Sequence, residues 1–426
     1  MSQLKKTVGT AFAVAGLGLT LSAGSAMAQE ITYMCSSDGN ECETAREIFD
    51  RFEKENPGVT VKIDEVPYKA ILESLPVQLS AGTGPDMAKV TDLGGLSEFY
   101  LDLTPYVDKK YWEDSFGGTL DWYRKGPDDD GIYGLHSQLT ITGAFINKTL
   151  FDQAGVDVPS PEASWDDWAK ASLEVAKKTE TKFPMAMDRS GHRIAGPAIS
   201  YGAKLFGPDG VPFLVDDAFT AYVQKFVDWN NDGTMARDVW AGSGGSSYQD
   251  ASKEFINGQL VYYYSGSWQV AKMDDQIGDG FDWVVVGSPC GDGGCSGMPG
   301  GAGIVGFSQT EHPELVAKAI DYLAQEGNYA EMTAKTRNIP AHLGVAAAGV
   351  DYEGASAPAA AALNAWGAQV GKVSPIAFAY QGYKNNRAMF NITVQRVTQA
   401  IVGELSVDDA MTRAKDDLAK ALAESN

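Results

Sequence analysis

Two short apolar strands joined through one amphipathic helix constrain the fold of this chain more than any other feature. Ile31–Met34 is an extended apolar run. Beyond the loop 35–42, Ala45, Ile48, Phe49 and Phe52 recur at helical spacing and share one stripe. Asn56-Pro57-Gly58 stops that helix, and Val59-Thr60-Val61-Lys62-Ile63 alternates as a second strand. A helix between two strands of one sheet is a crossover, so the strands run parallel and the connection is right-handed. The spacing therefore predicts an α/β protein. A further helix around Ile71–Leu79 breaks at Ala81-Gly82-Thr83-Gly84-Pro85 and leads into a third strand, Asp86–Val90. Two strand ends in this region carry polar groups, Ser36-Ser37 and Thr91-Asp92, and strand-end polar groups are the material of a ligand crevice in open α/β sheets. Asp92, as a carboxylate, is an acceptor for charge-assisted bonds from ligand hydroxyls.

A later stretch points the same way. The helix end at Phe255 stops at Asn257-Gly258, and Leu260–Tyr264 is a continuous apolar run, the pattern of a strand buried on both faces. It ends at Ser265-Gly266 and delivers the indole of Trp268. The flat apolar face of an indole suits the C–H face of a sugar ring; the competing assignment is an ordinary core Trp. Tyr201 and Trp240 are aromatic candidates for the same crevice. Asp188 and Arg189 follow a strand at Phe183–Met187 and either face the crevice or form a solvated surface pair. Further strands are expected at Gln138–Ile146, Trp283–Val286 and Gly303–Phe307, with helices at Glu314–Leu323 and on the stripe Phe390, Val394, Val397, Ile401.

The first 28 residues stand apart. Lys5 and Lys6 precede an apolar, small-residue run from Thr7 to Leu21, and Ala26-Met27-Ala28 is an A-x-A cleavage site before Gln29. This pattern predicts an exported protein of 398 residues after removal of 28 from 426. Those 28 residues hold two of the 34 basic side chains and none of the 56 acidic ones, leaving 32 basic against 56 acidic, a net charge of −24. So acidic a protein is a poor partner for nucleic acid or anionic lipid. The four cysteines form two close pairs, Cys35/Cys42 and Cys290/Cys295. In an exported protein an even count favours local disulfides; zinc is the alternative, but neither spacing is a usual finger spacing and no histidine is close.

Two motif matches compete with blander readings. Gly301-Ala302-Gly303-Ile304-Val305-Gly306 fits G-x-G-x-x-G, yet a dinucleotide site needs a helix opening inside the motif and these residues read as a strand. Asp228-x-Asn230-x-Asp232-Gly233 opens like a calcium loop, but the twelfth position is Val239, and the alternative is a helix-ending turn. No H-E-x-x-H or G-x-S-x-G is present, so hydrolytic machinery is not visible. No cofactor and no metal are expected.

The order of motifs resembles the extracellular solute-binding proteins (family 1) of ABC sugar importers, which include maltose-binding protein. The resemblance rests on Phe49–Val59, Ser80–Asp86, Leu101–Pro105, Gly131–Leu135, Phe145–Lys148 with Ala154-Gly155-Val156, Phe255–Gly258 with Gly266-Ser267-Trp268, and Gly403–Ser406, in the family's order over nearly all of the chain. The chain departs from it in the cysteine-clipped first loop and in His136, where relatives commonly show Pro. The resemblance implies a two-lobed periplasmic binding protein fold, type II-like, with hinge strands crossing near Gln138–Thr142, Met298–Gly303 and Ala341–Ala346. It implies an N-terminal lobe of residues 29–139 plus 302–343 and a C-terminal lobe of 140–301 plus 344–426. Ligand would lie between them, with Trp268 stacking and Phe390 as a second aromatic.

The combined expectation is a monomeric periplasmic protein that binds a carbohydrate in the cleft and delivers it to membrane permease subunits. Its contacts would come from Ser36, Ser37, Asp92, Gln138, Thr140, Asp188, Arg189, Tyr201, Trp240, Trp268, Gly300, Gly301, Arg337 and Phe390. Arg337 either forks to the ligand or pairs across the hinge. The alternatives are the same fold holding a polyol, sugar acid or other osmolyte, and a secreted carbohydrate-active enzyme using a carboxylate pair.

Overall fold

One strand belongs to both halves of the molecule. In the computed structural model, which describes residue 1, residues 29–126 and residues 128–424, β4 (Gly134–Asn147) is fourteen residues long and buried along its whole length. Its first half pairs antiparallel with β8 (Pro299–Gly306), from Gly134↔Val305 to Ile141↔Pro299. Its second half pairs antiparallel with β6 (Leu260–Gly266) and with β7 (Trp283–Val286). The expected leader, residues 1–28, lies outside the described residues save for Met1.

The first sheet continues from β8 to β3 (Met87–Val90), then β1 (Gln29–Cys35) and β2 (Val59–Glu65). β1 pairs parallel with both β2 and β3, as the crossover helices require. The helix Glu41–Glu55 buries Ala45, Ile48, Phe49 and Phe52, the residues on the sequence stripe, and Phe49 meets Tyr33 of β1 edge to face. On the second sheet β5 (Phe183–Met187) pairs parallel with β6. The β6 run Leu260–Gly266 is wholly buried, because helices cover both of its faces. The result is the expected two-lobed α/β architecture, two sheets joined through β4 and β8.

The crossing expected at Ala341–Ala346 is not a strand. Leu343–Ala348 is a helix against the helices Lys109–Phe116 and Glu326–Thr336, on the first-sheet side. The next helix, Ala357–Val370, lies against β7 and the helix Val270–Ile277 on the second-sheet side. The chain therefore passes between the halves at residues 349–356, where the Ser356 N–H donates to Asp274 Oδ2 at 3.0 Å. The small apolar run Val345–Ala348 reads equally well as strand or helix by composition; His342, whose Nδ1 accepts from the Val345 N–H, caps it as a helix.

The two cysteine pairs are disulfides, Cys35–Cys42 and Cys290–Cys295. The glycine-rich motif at 301–306 is the end of strand β8. Asp228 and Asn230 sit inside the helix Asp217–Asp232, where Asn230 donates to the Phe226 carbonyl, and left-handed Gly233 ends it. Among the described residues no three His, Cys, Asp or Glu side chains form a group that would hold a metal ion, and no helix is long and apolar enough to cross a membrane.

β4 carries a register shift between His136 and Gln138. There the His136 ring is buried, with Nδ1 accepting from the Tyr123 hydroxyl at 2.6 Å and Nε2 donating to the Gly300 carbonyl at 3.3 Å. Those partners suit a neutral ring, and burial pushes its pKa down to about 4. Because the folded pKa lies below the ordinary value near 6.5, the unfolded chain takes up a proton that the folded chain refuses. Stability is full above about pH 6.5 and falls as pH drops toward 4, by roughly 3 kcal/mol from this ring. Urea unfolding between pH 7.5 and 4.5 should show that loss, with a shallower slope in His136→Gln. Equal slopes in the two proteins would contradict the assignment.

Candidate ligand cleft between the lobes

A cleft of about 1150 Å³ opens where the two sheets meet, and the first residues along its wall come from the ends of strands. Gln138 and Thr140 line it from the middle of β4, Gly300 and Gly301 from β8, and Ser37 from the loop after β1. The Cys35–Cys42 disulfide closes the base of that loop, and Ser37 Oγ accepts from the Cys42 N–H at 3.1 Å, so Ser37 to Asn40 are presented on a short tether. The Gln138 side chain donates to Asn338 Oδ1 at 3.0 Å, tying β4 to the segment that follows the helix Glu326–Thr336.

Trp268 stands on the turn Ser267–Gln269 directly after β6 and lines the cleft, half-buried. Its ring lies over Gly266, where a Cβ would overlap the indole and come to 2.6 Å from the Ile141 carbonyl oxygen. The bare backbone of Gly266 is what allows the indole to come so close to the strand end. The Arg193 guanidinium stands 4.1 Å from the indole centroid, a cation–π contact. Arg193 is held from below by Asp188, whose Oδ2 is 3.7 Å from Arg193 Nε.

Asp188 itself does not line the cleft. It is fully buried and accepts from the hydroxyls of Tyr263 at 2.7 Å, Ser265 at 2.6 Å and Tyr248 at 3.0 Å. Burial pushes its carboxyl above the usual range, with the Arg193 charge pulling it back. Arg189 lines the cleft but turns its donors onto the carbonyls of Trp240, Ser247 and Gly245 and onto Thr398 Oγ1. Arg337 also lines the cleft, and its Nη1 pairs with Asp275 at 2.7 Å and Asp274 at 3.2 Å, so the hinge ion pair is present. Phe390 lines the cleft, its ring 5.5 Å from that of His192.

Besides Asp188, four expected contacts sit elsewhere. Trp240 is 1% exposed, its Nε1 donating to the Met187 carbonyl, and it packs on Phe226 in the core. Tyr201 packs on Tyr222 behind the cleft. Ser36 is buried, its carbonyl accepting from Lys89 at 3.0 Å. Asp92 folds back on Gly95, where a Cβ would meet its carboxylate at 2.5 Å, and burial pushes its pKa up. At the two strand ends the neighbouring residue takes the cleft position, so Ser37 and Thr91 line it while Ser36 and Asp92 do not. Sequence reasoning missed His192, Arg193 and Arg387, which all line the cleft. The first two begin the helix Gly191–Ser200 just beyond β5, so the strand-end argument carried four residues past Arg189 would have found them.

The model of the bacterial extracellular solute-binding proteins matches residues 38–330. The chain belongs to that family. Within it, a binding protein of Brucella abortus is 24% identical over 344 residues, 77% of this chain and 80% of its own. The maltodextrin-binding protein of Bacillus subtilis is 25% identical over 335 residues, covering 72% and 75% of the two chains. Among solved structures, an ABC substrate-binding protein from Listeria monocytogenes in complex with cycloalternan superposes with a TM-score of 0.78 at 18% identity, over 93% of this chain and 99% of that one. Members of this extracellular solute-binding family are binding components rather than catalysts, and the cleft has the place in the fold that such a role requires.

Proposed function

We propose that this chain is the periplasmic substrate-binding component of an ABC importer and that its solute is a carbohydrate held in the cleft. The observation that carries this reading is Trp268, an indole on the turn at a strand end that lines a cleft also lined by Gln138, Thr140 and Ser37. An aromatic face beside a set of side-chain donors and acceptors is what a pyranose needs, since its ring faces are apolar and its edge is polar. The maltodextrin-binding relative supports the same class of solute. On this reading the lobes are residues 29–139 with 302–348 and residues 140–301 with 357–424, and they close over the solute by bending at β4, β8 and residues 349–356. The leader is cleaved after Ala28, the protein works as a monomer, and it hands its solute unchanged to the permease.

A thermal-shift screen of the 398-residue form against mono- and disaccharides, polyols and sugar acids tests the proposal. A solute at 100 times its Kd adds about 2.7 kcal/mol, so one narrow chemical group should raise the midpoint by several degrees and be recovered intact. A screen with no shift would sink the carbohydrate assignment, and turnover of any glycoside would sink the purely binding role.

A further inference from the structure

Four arginines line the cleft, and two of them differ from the others in what their donors meet. Arg189 is engaged by backbone carbonyls and a threonine, and Arg337 by Asp274 and Asp275. Arg193 and Arg387 are not so engaged. The Arg193 side chain is 9% exposed, its Nη1 donates to His192 Nδ1 at 2.7 Å, and its buried Nε has no hydrogen-bond acceptor. Arg387, on the helix Asn386–Ile401, donates Nη2 to Thr91 Oγ1 at 3.3 Å, and its Nε is likewise buried without an acceptor. Among the described residues no carboxylate pairs with Arg387 within 4 Å, although its charge acts on buried Asp92, and the carboxylate near Arg193, Asp188, already receives three hydroxyls.

We propose that the solute of this cleft carries an anionic group, a carboxylate or a sulfonate, which Arg193 and Arg387 receive beside the Trp268 indole. The inference rests on the carbohydrate reading above and narrows it to acidic sugars. A guanidinium has donors only, in a planar fork that matches two oxygens of an oxoanion. A sugar hydroxyl can satisfy a single donor, but it leaves the charge uncompensated in a cleft that closes away from water. The ring of His192 between the two arginines stays neutral: its Nδ1 accepts from Arg193 while Nε2 donates to the Pro299 carbonyl at 3.0 Å. Arg193 and Arg387 therefore present two positive charges beside a neutral ring, while Asp188 and Asp92 act on them from outside the cleft lining. The chain as a whole is strongly acidic, so its long-range field repels an anion, and selectivity must come from these short contacts inside the screening length.

The test is calorimetric titration of the 398-residue form with matched pairs: D-galacturonate against D-galactose, D-glucuronate against D-glucose, and glucose against its 6-sulfonate. The acid of at least one pair should bind ten-fold or more tightly than its neutral partner. That ratio should collapse in Arg387→Gln, and it should shrink in the unaltered protein when salt is raised from 50 to 500 mM, a measurement independent of how the variant folds. Whether the carboxylate or the sulfonate wins identifies the anion. Neutral partners that bind as tightly as the acids, or more tightly, would overturn this inference while leaving the carbohydrate reading intact. Failure of every sugar, acidic or neutral, would overturn both.

Discussion

Gly301→Ala should destabilise the ligand-free protein by about 4 kcal/mol, or prevent its accumulation, while Gly300→Ala next to it costs less than about 1 kcal/mol. Gly301 has φ +123°, a conformation that an L side chain rarely adopts, and its Cβ would overlap the Gln138 carbonyl oxygen and lie 2.8 Å from the carbonyl carbon. Those atoms are backbone in the strand that joins the two sheets, next to the register shift at His136, so they cannot swing aside as a flexible side chain can. Relief would require β4 and β8 to separate where they pair. At Gly300 the nearest atoms to a Cβ are His192 Nε2 at 3.2 Å and Thr140 Oγ1 at 3.4 Å, both side chains that can give a few tenths of an ångström. Urea midpoints of the two variants at neutral pH measure the contrast. Similar losses in both would mean that β8 adjusts its backbone freely, and with it would go the view of this crossing as a rigid joint.

That contrast was not legible in the residue order, which shows only two adjacent glycines before an alternating run. What was legible depends on the kind of signal each element carries. Runs buried on both faces, such as Leu260–Gly266 and Phe183–Met187, are continuous apolar stretches and betray themselves by composition. The helix Glu41–Glu55 shows itself through its stripe. A buried Trp and a cleft Trp, by contrast, are chemically the same residue. Trp240 and Trp268 differ only in where the backbone leaves them, one inside the four-residue helix Asp238–Ala241 against Phe226 and one on a turn after Gly266. Asp92 and Thr91 are neighbours at the end of one strand, and a period of two sends one inward and the other to the cleft. Arg193 was hidden for another reason: its importance comes from Asp188 beneath it and Trp268 beside it, 75 positions later in the chain, and no local pattern encodes such a meeting.

That meeting makes Trp268→Ala the substitution with the largest expected effect on binding. A pyranose packed on the part of the indole that Arg193 leaves open would cover on the order of 100 Å² of apolar surface, about 2.5 kcal/mol, which corresponds to a loss of roughly a hundred-fold in affinity. Removing the ring also removes the cation–π partner of Arg193, so its guanidinium loses an anchor worth about 1 kcal/mol and the arrangement of the anion-facing wall loosens with it. Trp268→Phe keeps an aromatic face and should recover much of the loss, whereas Trp268→Leu, apolar but not flat, should not. The ligand-free melting midpoint separates binding from folding: the ring is half-buried and rests on backbone at Gly266, so its loss should cost far less stability than removal of the enclosed Trp240. If Trp268→Ala bound its solute within two-fold of the unaltered protein, the indole would be a packing residue, and recognition would have to be sought in Phe390 and the polar wall instead.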